Sequence, residues 1–233
     1  MNYSKKLKIS SVFLMAMVIL LSCRKDRDVL EEEPTNYYKL RRAENLAPAE
    51  VGAKTLYFNL DSKSEVSAAS EKTAGWDLAF GGSFVSYMSG NYGADAANYG
   101  AGNNTLGGVL IIQKSFDEVI DIPDDSEFKT GKNVYGMDGE GDRAAGALGW
   151  YLYDMNGTIR GDGSARKKHV VYAMPEKRTV IVRTAKGDYA KIKMISCYKD
   201  ALTADKWFSD VPFMFYTFEY VVVPKGSTKF EVK

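Results

Sequence analysis

Nine methionines and a single histidine are the side chains in this 233-residue sequence with the most specific chemistry to offer. Met1, Met15 and Met17 fall in an apolar leader, and Met194 and Met214 lie inside strand-like runs, where a thioether is expected to fill a core. Met88, Met137, Met155 and Met174 stand instead beside Gly, Asn or Pro at the ends of such runs, where a sulfur could reach into a cleft. Thioether sulfur is a soft, uncharged ligand suited to haem iron, and it raises the reduction potential relative to imidazole. The alternative at each of these positions is gap filling at the base of a loop. His169 sits on a strand-like run and reads as a surface or pocket-rim group, with iron ligation as its alternative.

Catalytic constellations find no support. One histidine removes most histidine-based metal clusters, and no P-loop, dinucleotide fingerprint or G-x-S-x-G is present. Asp138, Glu140 and Asp142 alternate like a calcium loop, but Arg143 stands where the tight-turn glycine belongs and Gly149 where a bidentate acid is needed. The sequence points to a binding protein, not an enzyme.

The elements that must carry these residues read as strands. Residues 178–196, RTVIVRTAKGDYAKIKMIS, are two such runs joined at a glycine. A three-residue loop at Ala185, Lys186 and Gly187 pairs Val182 with Ala190 and Val180 with Ile192, with Met194 on the same apolar face. Arg183, Lys191 and Lys193 are then expected to face outward, with Ile181 and Ile195 among them. Leu56, Phe58 and Leu60 alternate in one further strand and Trp76, Leu78 and Phe80 in another. Residues 213–223 are apolar on both faces and predict a central strand. Residues 89–108 interleave glycines with Tyr92, Tyr99 and asparagines, which predicts a long mobile loop or an irregular binding loop. Residues 150–155 form a strand stopped at Asn156 and Gly157. With 15 Tyr, 11 Phe and 21 Gly and short, punctuated runs, the fold class is all-β, a single antiparallel domain.

The N-terminus carries an address. Lys5, Lys6 and Lys8 precede an apolar stretch over residues 12–21, followed by Leu20-Leu21-Ser22-Cys23, the pattern of a bacterial lipobox. Residues 1–22 are then a cleaved lipoprotein signal, and Cys23 takes the acyl chains that anchor the protein without spanning the bilayer. Residues 23–53 are the lipidated cysteine and a charged tether, and the domain covers residues 54–233. With Cys23 lipidated, Cys197 has no disulfide partner and is expected to be a buried structural thiol. Lys+Arg of 31 against Asp+Glu of 30 leaves a formal net charge of +1, which disfavours nucleic acid as a partner.

The run VIVRTAKGDYAKIKM, with GWDLAF at residues 75–80 and the glycine-rich segment ending in LGGVLII, resembles the HmuY family of haem-binding lipoproteins from Bacteroidota. The resemblance spans about residues 56–220. It implies a domain that holds haem between two axial side chains, His or Met, on loops at one edge, and passes it to a TonB-dependent outer-membrane receptor. One ligand position follows the family's Gly-Trp and a short strand, which places Met155 there; the other lies in an upstream glycine-containing loop, which gives Met137. Met88, Met174 and His169 are held in reserve. Trp150, Tyr151, Tyr153, Tyr92 and Tyr99 would wall the porphyrin, and Arg160, Arg166, Lys167 or Lys168 would meet its propionates. Two thioethers would favour ferrous over ferric haem. The resemblance also implies an outer-membrane lipoprotein facing the cell surface or the periplasm, and it leaves room for a homo-oligomer. A different reading keeps the fold without haem, as a surface adhesion module using residues 89–108 for a glycan or protein.

Overall fold

The computed structural model describes residues 36–48, 54–143 and 145–233. Within them the alternating runs become antiparallel strands. The central sheet runs in the order β1 (Arg41–Leu46), β11 (Phe213–Val223), β10 (Tyr189–Tyr198), β9 (Thr179–Arg183) and β6 (Gly108–Ile112). A second sheet has the order β3 (Ser64–Val66), β2 (Leu56–Asn59), β4 (Leu78–Gly81) and β5 (Tyr87–Gly90), and β7 (Tyr151–Asp154) pairs with β8 (Val170–Ala173) as a separate hairpin. The helical turns among the described residues are all short 3-10 segments. The signal segment, Cys23 and the tether up to residue 35 lie outside the described residues. Residues 41–46, which composition assigned to the tether, instead form β1, with Ala43 buried and Arg41 opposite Tyr220 of β11. Composition missed this strand because an edge strand of charged residues buries little.

The β9–β10 hairpin has the predicted register. Ala190 faces Val182 and Ile192 faces Val180. Thr184 N donates to Asp188 O at 2.8 Å to close a three-residue loop, and Gly187 takes φ 95°, where glycine is free of strain. Val180, Val182, Ala190, Ile192 and Met194 join Leu56, Phe58, Leu78 and Phe80 in the main core. Aromatics stitch the two sheets together: Phe80 stacks on Tyr216 at 4.1 Å between ring centres, and Phe58 meets Phe218 edge-on at 5.4 Å.

The opposite face of that hairpin is not the solvated surface the sequence predicts. Lys191 and Ile181 are buried there, in a second core with Phe116, Val119, Phe128, Val221, Val223 and Phe230. The cover comes from residues 115–130 and from the C-terminal segment. Lys191 is tolerated because its Nζ donates to Phe116 O at 2.9 Å and Val119 O at 2.8 Å, and lies 4.1 Å from the centre of the Phe116 ring. Burial pulls its pKa below the ordinary lysine value, against the opposing pull of the Asp117 carboxylate.

Residues 91–107 cover the outer face of the second sheet. Asn91 Nδ2 donates to Thr73 O at 2.9 Å and Trp76 O at 2.8 Å, and Asn98 Nδ2 to Gly90 O at 3.0 Å and Thr130 O at 2.8 Å. Thr105 Oγ1 donates to Asn91 Oδ1 at 2.9 Å. Tyr99 packs edge-on against Tyr57 at 5.7 Å under the Lys132 ammonium. The glycines serve close approach: a Cβ on Gly107 would lie 2.4 Å from Asn91 O.

Strand β7 ends at Asp154, whose buried carboxylate accepts the backbone N–H groups of Thr158 at 2.9 Å, Ile159 at 3.1 Å, Arg160 at 2.9 Å and Gly161 at 3.1 Å. These bonds close the turn predicted at Asn156 and Gly157, with Gly157 at φ 72°. Burial pushes the Asp154 carboxyl up, but the four N–H groups outweigh it and hold the pKa below the usual carboxylate value.

Two expectations follow from these anchors. Lys191→Met keeps the apolar stem but strands two buried carbonyls, and should lower the free energy of unfolding in urea by about 1–3 kcal/mol; unchanged stability would mean the carbonyls need no donor. Asp154→Asn should cost about 2 kcal/mol at pH 7. Because the folded pKa is depressed, that contribution is complete above the unfolded carboxylate pKa of about 3.9 and is lost as pH falls through the folded value. Thermal unfolding of both proteins across acid pH should show the gap closing, whereas a gap independent of pH would assign the loss to packing.

Candidate functional site

Strands β7, β8, β10 and β11 converge with the 83–86 turn around a cleft of about 500 Å³. Its size falls in the range of ligand pockets, roughly 300–1,000 Å³. Trp150, Tyr151, Tyr153 and Tyr216 wall it, Met137, Met214 and His169 bring donor atoms to it, and Arg143 brings a cation. The aromatic walls are fixed by their polar ends. Trp150 Nε1 donates to Ser86 O at 2.8 Å, Tyr151 Oη lies 2.9 Å from Ser86 Oγ, and Tyr216 Oη reaches both Val85 O and, at 3.2 Å, Met214 Sδ. Burial raises the pKa of Tyr151 and Tyr216, so both phenols stay neutral. Cys197 lines the same cleft, and burial pushes its thiol up to about 12.

Met137 reaches the cleft because its loop runs alongside β7. Trp150 N donates to Gly136 O at 3.0 Å and Asp138 N to Tyr151 O at 2.7 Å. Beneath them lies a buried ion pair, Arg178 Nε to Asp138 Oδ2 at 2.9 Å, and the same oxygen accepts Gly149 N at 3.0 Å. Burial works against the Asp138 charge, but Arg178 and the backbone donors prevail and hold its pKa down. Glu140 bonds Arg178 and Lys177, and Asp142 accepts the N–H of Met155 at 2.6 Å and of Asn156 at 3.3 Å. These acids therefore brace the loop. Among the described residues no cluster of three or more His, Cys, Asp or Glu side chains could hold a metal ion.

The structure sorts the sequence candidates. Met137 and His169 line the cleft. Met155 is half-buried and not part of the lining; its Sδ accepts a hydrogen bond at 3.2 Å from Nη2 of Arg143, which does line the cleft. Met88 and Met174 are 0% and 1% exposed in the main core, and neither lines the cleft. His169 is exposed, and its Nδ1 lies 2.7 Å from Tyr153 Oη.

Tyr92 and Tyr99 belong to the cover of the second sheet, and neither lines the cleft. Of the expected basic residues, Arg160 pairs with Glu176 at 2.5 Å, Arg166 with Asp210 at 3.0 Å, and Lys167 donates to Ala204 O and Trp207 O. Sequence reasoning missed Arg143 as a cleft residue, having read it only as the residue that breaks a calcium-loop pattern, and it read Met214 only as core, whereas Met214 packs on the core and also lines the cleft. Met214 is turned by a backbone φ of 70° in the irregular start of β11, and nothing in the sequence announces that twist. Within residues 89–108, Asn91, Asn98 and Thr105 spend their side chains on internal bonds, while Asn104 is exposed.

Among solved structures, a candidate lipoprotein of Bacteroides fragilis is similar at 13% identity, covering 84% of this chain and 95% of that one, with a TM-score of 0.37. The apo HmuY analog of Tannerella forsythia is similar at 12% identity, covering 80% of this chain and 96% of that one, with a TM-score of 0.38. No curated protein matches the chain. The sequence pattern of the HmuY protein family matches residues 52–209, well over half of the chain, and the chain belongs to that family.

Proposed function

We propose that this protein captures haem in the aromatic cleft, anchored to the outer membrane through Cys23, and passes it to a TonB-dependent receptor. Family membership supports a binding role of the haem type and a membrane-associated lipoprotein. The observation that carries the reading is the composition of the cleft: apolar aromatic walls, soft donors and one cation. Planar aromatic surfaces fixed by hydrogen bonds offer a flat apolar ligand contact without loss of side-chain freedom. Each Å² of apolar surface removed from water contributes about 25 cal/mol.

In this reading Met137 and Met155 would hold the iron. Met137 borders the cleft and Met155 lies on Arg143, whose guanidinium would meet a propionate, a stronger charge-assisted partner than a thioether. The bound iron supplies only coordination. The chain's own work is to wall off water and to hold two donors, and no bond in the protein is made or broken.

Haemin titration of the purified protein tests this directly. A saturable Soret shift is expected, tighter under dithionite than in air because thioethers favour ferrous iron. Met137→Ala and Met155→Ala should each weaken binding by about tenfold or more, or about 1.4 kcal/mol. No saturable shift in either oxidation state would overturn the reading. Separately, Cys23→Ser is expected to move the protein from the membrane fraction to the soluble one; retention in the membrane would refute the lipid anchor.

A further inference from the structure

A second cavity, of about 390 Å³, adjoins the 82–85 turn and shares only Phe84 with the aromatic cleft. Its wall carries Lys54 and Lys132 and no acidic side chain. Neither lysine forms an ion pair among the described residues. Lys132 Nζ lies 4.2 Å from the centre of the Tyr99 ring, a contact that places the ammonium without giving it an oxygen acceptor. Asn133 adds a neutral donor. It takes φ 56°, which asparagine tolerates better than most residues, and its backbone N donates to Ser89 Oγ at 2.7 Å. Tyr99 Oη donates to Asn133 Oδ1 at 3.2 Å, which orients the amide and leaves Nδ2 without an acceptor among the described residues. Gly82 keeps the approach to that nitrogen open, since a Cβ there would lie 3.1 Å from it.

Beside these donors the wall is apolar. Val85 and the Tyr99 ring line it, and Phe84, 74% exposed, presents a flat phenyl face at its rim. Two ammonium groups and an amide N–H pair with no carboxylate to satisfy them select an oxyanion. The ring faces select a planar apolar body. Inorganic phosphate would meet the donors and leave the rings in water, whereas a carboxylate carried on an aromatic ring meets both. We propose that Lys54, Lys132 and Asn133 form a binding site for small planar carboxylates, with the ligand's carboxylate on the ammonium groups and the Asn133 amide and its ring against Phe84. The site goes beyond the haem reading and is independent of it: its polar groups do not line the aromatic cleft, and it stands whether or not that cleft takes haem.

The test titrates full-length, isotope-labelled protein with benzoate, with its neutral analogue benzamide and with inorganic phosphate, read by amide correlation spectra. Benzoate is expected to saturate with a Kd on the order of 1 mM, as suits a ligand of its size, and to shift the Asn133 side-chain amide pair together with the backbone amides of residues 82–85. Benzamide and phosphate should each bind about tenfold more weakly or worse, one for want of charge and the other for want of a ring. Lys132→Gln should weaken benzoate by about fivefold or more. Asn133→Asp tolerates the positive φ and still accepts the Tyr99 hydroxyl, but repels a carboxylate, and should abolish binding. The comparison of the three probes on the wild-type protein stands even if a variant is perturbed. Phosphate binding as tightly as benzoate would reduce the cavity to a simple anion site. Benzoate shifts at Trp150 and Tyr151 that persist in Lys132→Gln would put the ligand in the aromatic cleft instead. Either result, or no saturable shift with benzoate, overturns the proposal and leaves the haemin titration untouched.

Discussion

The central sheet has both faces buried, and this constraint shapes the rest of the molecule. Strand β10 places Ala190, Ile192 and Met194 against the second sheet while Lys191 points into a smaller core under Phe116 and Phe230. A lysine in that position must carry its own hydrogen-bond acceptors with it, and the 3-10 turn at Phe116–Glu118 supplies them through its carbonyl and that of Val119. The second sheet is treated alike, with Tyr57 and Trp76 roofed by the ordered loop around Tyr99. With the sheet faces taken, the open cleft lies where the β7–β8 hairpin meets the ends of β10 and β11.

That cleft is bordered by backbone under tension. Phe84 and Val85 have positive φ, at 56° and 55°, and a β-branched residue seldom adopts such a conformation. The turn persists because the cavity's own aromatics hold it, Trp150 through Ser86 O and Tyr216 through Val85 O. Phe84 is left 74% exposed at its tip. On the other side the Asp138–Arg178 pair fixes the loop that carries Met137. Removing one partner of a buried pair leaves an uncompensated charge, so this brace acts chiefly by making other loop positions unfavourable.

Much of this was legible in the sequence, and the rest was hidden for identifiable reasons. The β9–β10 register could be read because a slip would have put lysines among valines in the main core. Alternation says which residues share a face; it does not say whether a distant segment covers that face, so Lys191 and Ile181 were misplaced. The 89–108 stretch was legible as irregular, but asparagines that bond carbonyls internally look in sequence like asparagines waiting for a ligand. Met88 and Met174 looked like Met137, since adjacency to glycine or proline marks a strand end without marking which side of it faces a cavity. Arg143 and Met214 owe their positions to loop path and to one positive φ, which no periodicity encodes.

Cys197, the one free thiol among the described residues, forms part of the cleft lining yet remains protonated at physiological pH. The nucleophile and metal ligand is the thiolate, so in the closed molecule this sulfur is chemically silent toward oxidants, disulfides and soft metals alike. The cleft can thus keep a sulfur in its wall without exposing it to sulfenate or mixed-disulfide chemistry. Its reactivity would be that of the opened state, which makes the rate of alkylation at this one position a clock for how often the cleft comes apart.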